Sequence, residues 1–286
     1  DVTLNVRVGS LTIVVGSVGS GKSTLAMAFL GEIQPTKGNV FVASEVAYAS
    51  QEPWILNATV RENITFGRPY DPEWYAKVIH ACALAPDLAS FAASDLTEIG
   101  ERGSNLSGGQ RQRINVARAM YSKSPIVIFD DPFSAVDAHV GAHMFENVAV
   151  AMRNAGRTVL LITNQLHLVP DADYVAVLKA GRIVEQGTCV SLLKLKDGYL
   201  KKMLSKHVVQ KTDNAEDMDS TRGESHSMTI NTPFEITKEK DEENKLKGSL
   251  IQEEERKHGN ITFGTYWTYF KAGGLILVLL IFLMQS

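Results

Sequence analysis

LTIVVGSVGSGKSTLAMAF, residues 11–29 of a 286-residue chain, holds both halves of one structural unit. Leu11 to Val15 is an apolar, β-branched run of the kind a sheet buries on both faces. From Thr24 the string TLAMAFLGEI favours helix. Between them, Gly16-Ser17-Val18-Gly19-Ser20-Gly21-Lys22-Ser23 fits the spacing G-x-x-x-x-G-K-[ST]. That spacing carries meaning only after a strand and before a helix, and both flanks are present. Gly16, Gly19 and Gly21 let the backbone curl with its N–H groups toward phosphate oxygens, where a Cβ would obstruct approach. Lys22 offers a point charge to the β- and γ-phosphates, and the Ser23 hydroxyl can ligate Mg²⁺. The helix that starts near Ser23 and Thr24 adds its positive N-terminal dipole. Residues 16–24 therefore predict a nucleoside triphosphate site. A glycine-rich turn with a coincidental Lys-Ser is the alternative, and it needs both flanks to be accidents.

Reading outward, Gly38-Asn39 signals a turn into a strand, NVFVA. Helical apolar spacing covers Ala76 to Phe91 and Gly108 to Tyr121. Pro125 opens an apolar strand, IVIFD, and Arg157 introduces another, TVLLIT. Tyr174 to Gly187 reads as a hairpin turning at Ala180-Gly181. Strands alternating with helices predict an α/β fold with a mainly parallel sheet and a small antiparallel β part. The strand IVIFD delivers Asp130 at its C-terminal edge, where open α/β sheets bind ligands. Beside Lys22 and Ser23, Asp130 is the expected holder of Mg²⁺, through water.

Composition narrows the class. With 44% hydrophobic and 21% charged residues, collagen-like, mucin-like and wholly disordered readings are excluded. A net charge of −3 gives no pull toward nucleic acid. Cys82 and Cys189 lie too far apart in sequence to suggest a metal or redox pair, and read as two reduced thiols. The average hides an asymmetry. From about Lys201 to Lys257 the chain turns polar, and Ala272 to Met284 is continuously apolar. A membrane-spanning helix needs about 20 apolar residues, and this run stops at the end of the sequence. Tyr266, Trp267, Tyr269, Phe270 and Lys271 just before it suit a headgroup layer. With no initiator Met and no charged-then-apolar leader, the sequence reads as an internal piece of a longer protein without a signal peptide.

Leu106-Ser107-Gly108-Gly109-Gln110 opens the second long helical segment. By itself SGG is a glycine-rich N-cap. Together with the phosphate loop, this string resembles the signature of an ATP-binding-cassette domain, with a P-loop NTPase core and a helical signature subdomain. The resemblance runs from Asp1 to about Leu200 in the family's order. Gln51, in ASQEPW, matches the Q-loop, Ser134-Ala-Val-Asp137 the D-loop, and Asn164 the switch-histidine position. The resemblance implies ATP and Mg²⁺, with Ser23, Gln51 and Asp130 around the metal. It also implies that Ser107, Gly108, Gly109, Gln110 and Asp137 serve ATP held by a partner domain's phosphate loop, because two such domains pack head to tail.

Two departures from the family pattern bear on chemistry. Hydrolysing domains carry Glu as the general base after the strand aspartate, and here the residue is Asp131, one methylene shorter. Displacing a catalytic group by about 1 Å can cost about a hundredfold in rate. Asn164 in place of His can hydrogen-bond a γ-phosphate but cannot exchange a proton near neutral pH. The catalytic set Asp131, Asn164 and Gln51 therefore predicts a slow or non-hydrolytic site at this domain's own phosphate loop, with LSGGQ intact for the partner's site. The alternative is that Asp131 reaches the water through a small backbone shift.

The phrase DDPFSAVDAH (130–139) and the string QEPWILNATVRENI (51–64) resemble the C subfamily, the multidrug-resistance-associated transporters. KHGNITFGTYWTYFKAGG resembles the elbow helix leading into a second transmembrane domain. The implied division is a cassette over 1–203 lacking its first strands, a charged disordered linker over 204–258, and an elbow with a truncated membrane helix over 259–286. The implied partners are a second nucleotide-binding domain and two transmembrane domains of the same longer chain, and an organic anion, conjugate or drug as cargo. No nucleic acid is expected. The location implied is a plasma or vacuolar membrane with this domain in the cytosol. Two rivals remain: an ATP-gated channel or channel regulator of the same subfamily, and a soluble cassette ATPase of DNA or translation. The aromatic residue that stacks on adenine is expected before Asp1. The sequons at Asn57, Asn63 and Asn260 read as accidental on the cytosolic side.

Overall fold

The computed structural model describes residues 2–206. Six strands form one sheet in the order β2-β3-β4-β1-β5-β6, with β1 Leu11–Val15, β2 Val46–Ala49, β3 Ile126–Asp130, β4 Thr158–Thr163, β5 Tyr174–Lys179 and β6 Arg182–Gly187. All neighbours pair in parallel except β5 with β6, which form the expected antiparallel hairpin. Ala180 and Gly181 both have positive φ at its turn, the backbone that a right-twisted two-residue hairpin requires.

Between β2 and β3 lie four α-helices: α2 Val60–Thr65, α3 Pro72–Ala81, α4 Ala85–Ser90 and α5 Gly108–Tyr121. The first helix, α1 Lys22–Phe29, follows β1 directly. After β3, α6 Ala138–Met144 runs through a π-helical turn into α7 Ala151–Asn154, and α8 Cys189–Leu193 follows the hairpin. A last described helix over 199–206 seats Leu200 in the core, with Met203 and Leu204 packed against it.

The central strands are apolar throughout because both faces are covered. Leu11, Ile13, Val127, Phe129, Val159 and Leu161 point into the larger core, which they share with residues of α3, α5 and α6. Val14, Ile128, Leu160, Ile162 and Ala176 point the other way, toward α1. Phe129 is fully buried, and its truncation to alanine would cost about 3–5 kcal/mol in lost transfer energy and cavity.

Two elements differ from the sequence expectation. NVFVA forms no strand; the strand begins at Val46, where Val46 to Ala49 finds a ladder on Ile126 to Phe129. Phe41 is 86% exposed with no strand beside it, so β propensity without a pairing partner was not enough. The helical pattern Ala76 to Phe91 is two helices. Asp71 caps the first, with Pro72 in its opening turn. Ala83 then takes a left-handed φ of 51°, and Pro86 lies in the opening turn of α4. Proline has no N–H for the carbonyl four residues back, so one continuous helix would lose that bond. The chain breaks at Ala83 and restarts with Pro86 in a first turn, where no such bond is needed. Apart from 204–206, the expected linker lies outside the described residues, as do the elbow and the membrane helix. Among the described residues, no helix is long and apolar enough to cross a membrane.

Candidate nucleotide site

Parallel pairing aligns the C-terminal ends of β1, β4 and β3, since Val15 pairs with Thr163 and Asp130 with Ile162. The loops leaving those ends carry the predicted residues: Gly16 after β1, Asp131 after β3 and Asn164 after β4. Gln51 lies exposed two residues beyond the Ala49–Phe129 pairing, so β2 brings it to the same edge. Four segments far apart in sequence thus converge because the register lets them.

The loop after β1 turns tightly, with Gly19 and Gly21 at positive φ. A Cβ on Gly16 would stand 2.2 Å from the Leu178 carbonyl oxygen and 2.6 Å from Ser20 Oγ, so only glycine fits. Gly21, at φ 98°, is the N-cap of α1 and turns the chain into the helix in a conformation L side chains avoid. Lys22 is buried, and its ammonium donates to the carbonyls of Gly16 (2.8 Å) and Ser17 (3.1 Å). Burial lowers its pKa, while the charges of Asp131 and Asp130 oppose that shift. Ser20 Oγ is buried with no hydrogen-bond partner among the described residues. Val18 is 89% exposed at the tip of the loop.

The Ser23 hydroxyl lies within hydrogen-bonding reach of the Asp130 carboxylate, and Tyr48 Oη of β2 donates to its Oδ2 at 3.4 Å. Burial raises the Asp130 pKa; the Ser23 hydrogen bond lowers it, and the adjacent Asp131 charge raises it again. Burial and the Asp130 charge push the Tyr48 phenol up to about 12. Two buried carboxylates, with Lys22 the one lysine beside them among the described residues, form a set that a divalent cation would neutralise. The residues therefore fit Mg²⁺.

Asp131 sits in the left-handed region, φ 47°, which an Asp tolerates better than most residues. Its N–H donates to Ile162 O at 2.7 Å, and its Oδ1 accepts from Thr163 Oγ1 at 3.0 Å. Thr163 Oγ1 in turn accepts from the Gln165 N–H at 3.0 Å, and Gln165 Nε2 donates to Phe133 O at 3.1 Å. The loop after β3 and the loop carrying Asn164 are thus tied together. Asn164 itself is exposed.

Ser107 caps α5 in a reciprocal box: its Oγ accepts from Gln110 N–H at 3.2 Å, and Gln110 Oε1 accepts from Ser107 N–H at 2.8 Å. The N–H groups of Gly108 and Gly109 belong to the helix's unpaired first turn. A Cβ on Gly109 would lie 3.2 Å from Ala135 O, so the signature packs on the segment leading to Asp137. Asp137 is the N-cap of α6, accepting from Val140 N–H at 2.9 Å. Among the described residues, no hydrogen bond joins Ser107–Gln110 to the phosphate loop.

Residues 1–134 match the family described as ABC transporter. The chain belongs to the ABC transporter family. It is 42% identical over 280 residues to ABC transporter C family member 12 of Dictyostelium discoideum, covering 97% of this chain and 21% of that protein. It is 41% identical over 291 residues to ABC transporter C family member 7 of Arabidopsis thaliana, covering 98% of this chain and 19% of that protein. With ATP-binding cassette sub-family C member 2 of Mus musculus the identity is 42% over 239 residues, 82% of this chain and 16% of that one. The chain spans about a fifth of the length of the relatives it matches. ABC domains bind ATP with Mg²⁺ and power transport, and the phosphate loop and acidic strand of this ABC domain suit that chemistry.

Several residues that shape this ABC domain's site were not legible beforehand. Thr163 and Tyr48 touch the two carboxylates, and Asp87 and Arg118 brace α5. Thr163 left a trace, as a polar residue closing an otherwise apolar strand. The others gave no local signal, since their partners are distant in sequence.

Proposed function

We propose that this domain is the ATP-binding and ATPase module of an ABC exporter for organic anions, conjugates or drugs. Residues 16–24 bind the triphosphate: the loop N–H groups face its oxygens, and Lys22 exchanges the carbonyls of Gly16 and Ser17 for the phosphates. Ser23, Asp130 and Gln51 would hold Mg²⁺, which when bound would neutralise charge on the β- and γ-phosphates. Asp131 orients the attacking water, and Asn164 offers a hydrogen bond to the γ-phosphate without a transferable proton.

This domain's own site turns over slowly. The observation that carries the reading is the hold of Thr163 on the Asp131 carboxylate at 3.0 Å. A side chain one methylene short of Glu is bonded to the neighbouring strand, which limits its reach toward a water on the γ-phosphate. ATP bound here acts mainly to keep two cassettes closed, while Ser107, Gly108, Gly109, Gln110 and Asp137 serve turnover on a partner cassette's phosphate loop. The partner cassette and two transmembrane domains belong to the same longer protein, which lies in a plasma or vacuolar membrane with this domain on the cytosolic side.

The test compares full-length protein, wild type and Asp131→Glu, for nucleotide trapped at each site after one round of turnover. Wild type is expected to keep intact ATP at Lys22 and ADP at the site opposite Ser107, and Asp131→Glu to convert the first to ADP. Equal turnover at both sites in wild type would sink the reading.

A further inference from the structure

The signature of α5 is held by a residue from another helix. Asp87, on α4, is buried, with its carboxylate reaching two residues of α5. Its Oδ1 accepts from Gln110 Nε2 at 3.0 Å, and its Oδ2 from Arg113 Nη2 at 2.7 Å. The ion pair is largely sequestered from water, with side-chain exposures of 13% for Arg113 and 10% for Asp87. Arg113 Nε is buried without a hydrogen-bond partner among the described residues, so Asp87 carries the compensation of that charge.

The consequence follows from what a carboxylate can do. An ionised Asp accepts hydrogen bonds and donates none, so the end of the Gln110 amide that faces it must be the NH₂. The other end, Oε1, is then the one that faces the Ser107 N–H, at 2.8 Å. With the amide reversed, two donors would confront each other and the capping box would open. The box is what sets the Ser107 hydroxyl and the N–H groups of Gly108 and Gly109 at the head of α5. Arg113 contributes to the same arrangement, since its Nη1 would lie 3.6 Å from a Cβ placed on Gly109.

We propose that Asp87 is a positioning residue for the ATP site that this signature serves: its carboxylate sets the orientation of the Gln110 amide and thereby aims Ser107, Gly108 and Gly109 at the γ-phosphate. The inference rests on the reading that the signature completes a partner cassette's site. It goes beyond that reading by naming a residue outside all the sequence motifs. Asp87 acts through Gln110 and touches no nucleotide itself.

Asp87→Asn is the informative substitution, because it keeps the shape and offers only one acceptor where Gln110 and Arg113 both need one. In full-length protein, it is expected to lower kcat at the signature-served site at least tenfold. ATP affinity at Lys22 should stay within twofold, whereas a general loss of folding would affect both sites. The double variant Asp87→Asn/Arg113→Met removes the competing donor and the unpaired charge, leaving the introduced amide oxygen free to accept from Gln110. It is expected to recover at least half of wild-type kcat. Ser107→Ala, run alongside, separates the two levels. If it leaves turnover unchanged, the signature reading fails and Asp87 with it. If it abolishes turnover while Asp87→Asn retains more than half, the Asp87 proposal alone is overturned. A double variant no better than Asp87→Asn also overturns it, because an acceptor freed for Gln110 would then have restored nothing at the signature.

Discussion

Replacing Arg118 with methionine should loosen α5 from the segment that follows Gln51, and the structure sets the size of the effect. The Arg118 guanidinium donates to Trp54 O at 2.7 Å, Asn63 O at 2.8 Å and Asn63 Oδ1 at 3.0 Å. It also lies over the Phe66 ring at 4.8 Å and the Trp54 ring at 5.7 Å. Three hydrogen bonds from a charged donor contribute about 6 kcal/mol at about 2 kcal/mol each. Against this, burial lowers the guanidinium pKa from 12.5 to about 10. That corresponds to about 3 kcal/mol of hydration given up by the charged form, a cost methionine does not carry. The ring contacts add about 1 kcal/mol, which the methionine stem offsets by packing in the same place. The net loss is about 3 kcal/mol, and it falls on residues 54–66 because every bond ends there. A loss of that size raises the local opening equilibrium roughly a hundredfold. Chymotrypsin reads it directly, since Trp54 and Phe66 are exposed side chains whose backbone must open for cleavage. When reclosing outpaces cleavage, the rate tracks that opening. Arg118→Met in full-length protein should be cut after Trp54 or Phe66 about a hundred times faster than wild type. Arg118→Lys, which keeps the charge without the planar fork, should fall between them. A rate within about threefold of wild type for Arg118→Met would refute this balance of bonds against hydration.

Other perturbations read different parts of the molecule. Gly16→Ala forces a Cβ against the Leu178 carbonyl, and should weaken ATP binding at least about thirtyfold for about 2 kcal/mol of strain. Gly19→Ala meets nothing within 4 Å and bears only the backbone penalty of φ 76°, so a titration of ATP binding should rank it clearly milder. Thr163→Val removes the hydroxyl between Asp131 and Gln165. It should destabilise the domain by about 1–3 kcal/mol in thermal unfolding, whereas Thr163→Ser should stay near wild type. Burial drives the Cys82 thiol well above its ordinary value of 9.0, so the fold keeps it protonated and fully shielded. The stability it lends holds below about pH 9, where the unfolded thiol is also protonated, and is lost as pH climbs beyond that, because the unfolded state releases its proton first. Alkylation followed by mass spectrometry should therefore leave Cys82 unmodified at about pH 8 until denaturant is added. Uptake into inverted vesicles with ATP, comparing a glutathione conjugate with a neutral drug, should favour the conjugate; equal rates would remove the organic-anion preference.

Asn63, whose sequon read as accidental, has a fully buried side chain. Nδ2 donates to the carbonyls of Leu56, Ala58 and Thr59, and Oδ1 accepts from Leu56 N–H and from Arg118. An amide committed to these bonds inside the fold is structural, a cross-brace of the segment after Gln51.

What the sequence determined by itself was whatever depends on neighbours along the chain. The phosphate loop, the strand ending in Asp130, the capped start of α5 at Ser107 and the turn at Ala180-Gly181 are all set by interactions spanning a few residues. Each was legible as spacing, and the domain family followed from their order. Tertiary structure decided everything that needed a partner from far away. It moved the second strand from 39–43 to Val46–Ala49, because a ladder exists only where β3 can supply one. It brought Gly16, Asp130 and Asn164 to one sheet edge through register. It also joined Thr163 to Asp131 across 32 residues and Asp87 to Gln110 across 23. Such pairs leave no period or spacing in the sequence, since a hydrogen bond across the fold constrains only the two residues and the distance that packing sets between them. The motifs therefore named the chemistry of this domain, and the packing behind them sets how its carboxylates and its signature are aimed.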